Sequence, residues 1–279
     1  MNLGTTGVWT TYTRIGEENA GEAARLVEEL GYGAFWLGGS PRLPSVRPLL
    51  EATEEIVVAT GIVNVWAYGD PALLAAEYAA LERDFPGRLL VGIGIGHPEA
   101  TSDYSRPLSA MRAFLDGLDA AEPPLPRDRR CLAALAPKML ALSAERSLGA
   151  IPYFVPVAHT RLARELLGAD PLLAPEMAFV LDGDTDRARG KAREFARTYL
   201  GLANYTNNLL RLGFTADDVA AGGSDRLIDA VIPHGSAEEI AAVARAHLDA
   251  GADHVALQAL GEPGIPRRGW TALAEAMAG

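Results

Sequence analysis

The sequence predicts a (β/α)8 TIM barrel with a helical insertion in its C-terminal half. Three observations predict it. The chain has 279 residues, near the size of one such barrel. Strand-like and helix-like segments alternate from end to end, the pattern of parallel strands joined by crossover helices. Polar residues such as Asn64 and His97 fall at the C-terminal ends of strand segments, where α/β barrels carry their sites.

Leu3 to Trp9 reads as the first strand and loop. Ala20 to Leu30 is an amphipathic helix stopped by Gly31. Ala34 to Leu37 is the second strand and runs into Gly38-Gly39-Ser40. Ile56 to Trp66 is the third, apolar on both faces as a buried parallel strand should be. Asp70-Pro71 caps the next helix, which carries Leu73, Leu74, Ala76, Tyr78 and Leu81 and ends at Phe85-Pro86-Gly87-Arg88. Leu89 to Gly94 is the fourth strand, entering a loop Gly94-Ile95-Gly96-His97-Pro98.

Leu108 to Ala120 follows as a helix, and the proline-rich Glu122 to Arg130 as an exposed connection. Leu132 to Ala134 is a short strand before the helix Pro137 to Leu148. Ile151 to Val155 is a strand, and His159-Thr160 opens the helix Arg161 to Leu167, with Thr160 in an N-cap position. Met177 to Val180 and Val255 to Ala259 complete eight strands, which favours closure over an open doubly wound sheet. Thr185 to Val231 holds more helix than one crossover needs and reads as an insertion near the barrel mouth. No linker divides the chain, so residues 1–279 read as one domain.

Composition removes several functions. The chain is 49% hydrophobic, with 25 basic and 36 acidic residues and a net charge of −11. Such an acidic chain is a poor binder of nucleic acid or anionic membranes. The single cysteine, Cys131, forms no internal disulfide. With no signal-like start and no apolar run of spanning length, the expectation is a soluble cytoplasmic protein. No spacing of metal ligands and no Gly-x-Ser-x-Gly elbow is present, and no metal is expected. Gly92-Ile93-Gly94-Ile95-Gly96 is not a dinucleotide fingerprint, because His97-Pro98 stands where a third glycine and a helix start belong. Its three glycines share one face of a strand and leave room either for a close-packed neighbour or for a flat ligand.

Gly61-Ile62-Val63-Asn64, the helix end Asp84 to Arg88 and the strand Val91 to Gly96 resemble the bacterial luciferase-like superfamily. Within it the chain most resembles the oxidoreductases that use the deazaflavin coenzyme F420. Leu37 to Pro41, Ala134 to Leu140, Leu202 to Leu209 and Gly251 to Val255 are similar to one subgroup. The resemblance implies a barrel, often a homodimer, that holds F420, or alternatively FMN, at the strand C-termini and acts on a small organic molecule.

The resemblance also implies roles. A non-prolyl cis peptide at Gly61–Ile62 backs the central ring, and Asn64 bonds its polar edge or caps the strand end. Gly38, Gly39 and Gly96 border the cofactor. Ala136, Lys138 and Met139, at a helix start, hold the phosphate, or Lys138 is simply an exposed first-turn lysine. His159 and Thr160 are the second phosphate candidates. Trp9 and Trp66 wall the pocket or belong to the core. Tyr205 and Asn208, with Asn207, form a lid or satisfy helix ends. His97 is the acid/base candidate, or a ring or substrate contact. Ser40 is a hydrogen-bonding candidate. Two departures bear on the reaction. Gly39-Ser40 replaces an Asp-His pair, and His97 replaces a Glu of sugar-phosphate-oxidising relatives. These departures argue against alcohol or sugar-phosphate oxidation and keep open a barrel that binds cofactor without turnover.

Overall fold

The computed structural model describes residues 1–97 and 106–279, so Pro98 of the predicted site loop lies outside the described residues. Eight strand positions alternate with helices. They are β1 (Thr6–Thr10), β2 (Ala34–Gly38), β3 (Val57–Gly61), β4 (Leu89–Gly94), β5 (Arg130–Leu132), β6 (Gly149–Ala150), β7 (Glu176–Leu181) and β8 (Val255–Ala259). Every ladder between them is parallel; Val8 pairs with Phe35 on one side and Leu257 on the other. The ladder leaves β6 through Leu172–Leu173 and returns along β7 to β8. Backbone amides of Leu172, Ala174 and Glu176 donate to the carbonyls of Leu148, Ala150 and Pro152 at 2.8, 2.9 and 2.9 Å. Those bonds carry the ring from β6 to β7 and close the barrel.

The strands are buried on both faces, as parallel strands covered by helices require. Val8, Phe35, Val58, Val91 and Leu257 point outward into the helix layer. Trp9, Trp36, Ala59, Leu90, Cys131 and Ala256 fill the interior. Trp9 and Trp36 stack there with centroids 5.9 Å apart. Below them Trp36 Nε1 donates to His254 Nε2 at 3.0 Å, while His254 Nδ1 donates to the Gly4 carbonyl at 2.9 Å. Both nitrogens are thus used by a neutral ring, and burial pushes His254 down to about 4. The interior is a packed floor at this level of the barrel.

Several segments differ from expectation for identifiable reasons. The third strand stops at Gly61; Val63–Asn64 then pairs with Ile93–Gly94, and Val65–Tyr68 forms a helical turn. Asn64 Oδ1 causes the switch by accepting from the backbone N–H groups of Trp66 and Ala67. Trp66 therefore lies on that turn and not on a strand. Beyond Ala150 the predicted strand Ile151 to Val155 gives way to irregular backbone, where Pro152 lacks a donor and Phe154 has φ +55°. The fifth strand is Arg130–Leu132 rather than Leu132 to Ala134. The Glu122 to Arg130 segment is not wholly exposed, because Leu125 and Arg130 are fully buried. Arg130 satisfies itself on the carbonyls of Leu125 and Arg146 and on Asp119.

The C-terminal insertion is helical as expected, with Thr185–Leu200, Ala203–Arg211, Ala216–Val219 and Asp225–Val231. No helix among the described residues is long and apolar enough to cross a membrane.

Candidate functional site

A cavity of about 720 Å³ opens at the C-terminal ends of the strands, beneath the insertion. Its floor is made where glycines let neighbours approach. A Cβ on Gly61 would lie 2.1 Å from the Trp9 ring, so the indole packs flat against glycine backbone. A Cβ on Gly94 would meet Ile62 at 2.6 Å, and one on Gly96, where φ is +70°, would meet Asn64 Nδ2 at 2.5 Å. Gly92 answers to packing alone, with the Thr60 carbonyl 2.0 Å from where its Cβ would stand. The two readings of the glycine run therefore divide by position: Gly92 is close packing, whereas Gly94 and Gly96 border the cavity. The Gly61–Ile62 peptide bond is cis, as the resemblance implies.

Twelve of the predicted site residues line this one space: Trp9, Gly39, Ser40, Gly61, Ile62, Asn64, Gly96, His97, Ala136, Lys138, Met139 and Tyr205. Each follows a strand end or sits on the helices above. Asn64 Oδ1 caps the turn, and the residue borders the cavity beside Gly96. Ser40 is held at φ +55° in the loop after β2. His97 Nδ1 lies 3.2 Å from Asn204 Oδ1, and the His97 ring packs 5.4 Å from Tyr205. The Asn204 oxygen accepts, so Nδ1 carries the proton of this bond.

Five predicted residues are elsewhere. His159 and Thr160 lie inside the helix Val157–Leu167, which starts four residues earlier than expected, directly after Pro156. Both are fully buried; His159 Nε2 reaches the Leu135 carbonyl at 3.0 Å and Thr160 Oγ1 meets His247 Nδ1 at 2.8 Å. Neither offers a free helix N-terminus to a phosphate, and Thr160 is not an N-cap. Trp66 and Asn208 are not among the lining residues. Asn208 is buried and accepts from Arg211 at 3.3 Å, while its neighbour Asn207 faces the cavity. Gly38 lies just below the cavity, where a Cβ would touch Trp9 Nε1 at 2.7 Å.

Asn207 and Gly94 of the expected lid and loop also line it, and much of the remaining lining was not foreseen. Tyr153, Tyr199 and Gln258 form one side, with the Tyr153 hydroxyl donating to Gln258 Oε1 at 2.8 Å and the two phenols 3.0 Å apart. Tyr199 also packs on Phe195 at 4.9 Å. Burial holds Tyr153 and Tyr205 well above the ordinary phenol value and Tyr199 at about 12, so all three stay neutral hydrogen-bonding groups. Arg14, Lys138 and Arg211 complete the wall, and no Asp or Glu lines it among the described residues. The acid just beneath, Glu176, is fully buried, with Oε2 accepting from Phe154 N at 3.2 Å and Oε1 unpartnered. Burial raises it to about 8, so it is neutral at pH 7. In a chain of net charge −11 the cavity is therefore cationic.

The luciferase-like monooxygenase family model matches residues 3–122. An F420-dependent secondary alcohol dehydrogenase superposes with a TM-score of 0.74 at 15% identity, over 99% of this chain and 98% of the other. The coenzyme F420-dependent tetrahydromethanopterin reductase of Methanopyrus kandleri gives 0.73 at 14% identity, over 100% and 99%. The FMN-bound oxygenating constituent of 3,6-diketocamphane monooxygenase from Pseudomonas putida gives 0.70 at 14% identity, over 98% and 96%. No curated protein sequence matches significantly. The chain as a whole has the α/β-barrel fold of these solved structures.

Proposed function

We propose that the chain is an oxidoreductase that binds the deazaflavin F420 and transfers hydride between it and a small organic substrate. One observation carries this reading. A cavity floored by Gly61, Ile62, Gly94 and Gly96 is walled by Arg14, Lys138 and Arg211, with no acid among its described lining residues. A flat ring system with an anionic chain fits such a space in shape and in charge. The glycines let Trp9, Ile62 and Asn64 pack close against the backbone, which builds the floor on which such a ring would rest. Lys138 in the first turn of Pro137–Arg146 and Arg211 at the end of Ala203–Arg211 suit the phosphate and the carboxylates that follow it.

When bound, the deazaflavin supplies two-electron hydride chemistry, and the protein supplies placement and exclusion of water. Asn64, which lines the same floor, would hold the polar edge of such a ring through its side-chain amide. Helix Ala203–Arg211 covers the space through Tyr205 and fixes His97 through Asn204. His97, which lines the same space, takes or returns a proton at the substrate. Ser40, after β2, supplies an uncharged hydrogen-bonding group to the same space.

FMN is the rival ligand, since the matched family is one of monooxygenases. Parallel fluorescence titrations with F420 and FMN separate the two. Tighter F420 binding supports hydride transfer, and tighter FMN binding supports a monooxygenase. Binding of neither overturns both readings and removes the roles given to Asn64, His97 and Lys138.

A further inference from the structure

The cations of the cavity fall into two groups. Lys138 follows β5, and Arg211 stands on the helix above that side. Arg14 follows β1. In an eight-stranded ring the first and fifth strands are diametrically opposite, so Arg14 and Lys138 face each other across the mouth. One anionic chain on Lys138 and Arg211 leaves Arg14 unaccounted for.

Arg14 is positioned by carbonyls rather than by acids. Its Nη1 donates to the Ala259 carbonyl at 3.1 Å and the Glu262 carbonyl at 3.5 Å, at the end of β8. Its Nε and Nη2 make no hydrogen bond or ion pair with the described residues. That edge is the one with which guanidinium grips a carboxylate side-on through two parallel bonds. No Asp or Glu is among the described residues that line the cavity with it. The Tyr199 phenol is close enough to feel the guanidinium charge, and Tyr153 and Gln258 are bonded to it or to each other. Phe195, Tyr199, Tyr153 and Trp9 give this end of the cavity an aromatic wall, with Trp9 and Tyr153 rings 5.2 Å apart. A single guanidinium among neutral donors matches one negative charge better than a phosphate dianion.

We propose that Arg14 is the substrate-anchoring residue and that the substrate is a monocarboxylate with a planar apolar body, held by its carboxylate at the β1/β8 side of the mouth. The proposal rests on the oxidoreductase reading for its reaction but not for its binding chemistry.

The test uses the full chain and two isosteric probes, benzoate and benzamide, followed by calorimetric titration. Benzoate is expected to bind the wild type about tenfold or more tighter than benzamide, the scale of one charge-assisted pair. Arg14→Gln is expected to remove that advantage and leave benzamide binding as it was. Arg14→Lys, which keeps the charge and loses the fork, should fall between them and guards against a folding defect in the first variant. Equal binding of the probes, no saturable benzoate binding, or an unchanged benzoate affinity in folded Arg14→Gln overturns the proposal. The same wild-type preparation titrated with F420 and FMN separates the two claims. Cofactor binding without benzoate preference sinks the anchor alone, whereas benzoate preference without cofactor binding sinks the oxidoreductase reading and leaves the anchor standing.

Discussion

On the outer face of the insertion, Lys191 meets Asp182 at 3.0 Å beside Arg187, Arg189 holds Asp229 at 2.6 Å and Asp225 at 3.0 Å, and Arg226 holds Asp218 at 2.8 Å. At the barrel mouth just inside it, Arg14 meets only carbonyls, Arg211 meets only an amide, and Lys138 has no hydrogen bond or ion pair with the described residues. The side chains are the same; their partners differ. A cation with an acid at hand has its charge spent within the chain. A cation held by neutral dipoles keeps its field for something that is not part of the protein. The contrast is sharper because the nearest buried acid, Glu176, is kept neutral by its surroundings.

The most damaging way to break the mouth leaves its charges intact. Gly61→Val places a side chain where the Trp9 ring already stands, 2.1 Å from the new Cβ. Overpacking of this kind costs about 1–3 kcal/mol or more. Thermal melts should show that loss, and cofactor titration should show no binding. Normal binding by this variant would mean that the glycine floor is not where the ring lies.

Glu176→Gln tests the silent acid. The folded chain holds that proton up to about pH 8, against an ordinary value of 4.5. Its stabilising contribution is therefore complete below the ordinary value and is lost as pH rises toward the folded one. The variant should gain on the wild type progressively between about pH 5 and pH 8, by up to a few kcal/mol. His254 and His247, both pushed down to about 4 by burial, lose stability as pH falls from 6.5, but they do so in both proteins and cancel. Benzoate affinity of the wild type should also drop above pH 8, where Glu176 ionises, and that of the variant should not. A flat difference across this range would show that Glu176 is already charged.

Replacing Lys138 and Arg211 together by Gln should weaken cofactor binding by about 10–100-fold, since hydrogen bonds to charged groups are worth about 1.5–3 kcal/mol each before solvent exposure discounts them. The wild-type affinity should fall with added salt and the variant's should fall less. Equal affinities would remove the phosphate from this side of the mouth.

What the sequence revealed follows from where the causes lie. Asp70-Pro71, Gly31 and the Leu89 to Gly94 strand carry local signals, and all three mark elements of the fold. Asn64, His97 and Lys138 were found because strand ends and helix starts are legible positions. Trp66 was misplaced because one amide oxygen turned strand into helix, a choice made by a single hydrogen-bond acceptor in an apolar run. His159 and Thr160 were misplaced by a helix start four residues early. Arg14, Tyr199 and Gln258 were missed because their meaning is relational. An arginine becomes informative only when its neighbours prove to be carbonyls, and that requires the barrel to bring β1 beside β8.

The smallest effect expected is the control on which the whole contrast depends. Asp182 is nearly buried and is held far below the ordinary carboxylate range by its hydrogen bonds from Arg187 and Lys191. Both cations are well exposed, so solvent and salt screen much of what the cluster could contribute. Asp182→Asn should lower the melting temperature only slightly, most at low salt. It frees two positive charges on the insertion without moving any residue of the cavity. If pairing decides whether a cation serves the fold or the ligand, F420, FMN and benzoate affinities should stay at their wild-type values. A gain in anion binding would mean that the two regions share one field, and that the mouth is cationic by balance across the insertion rather than by the local absence of acids.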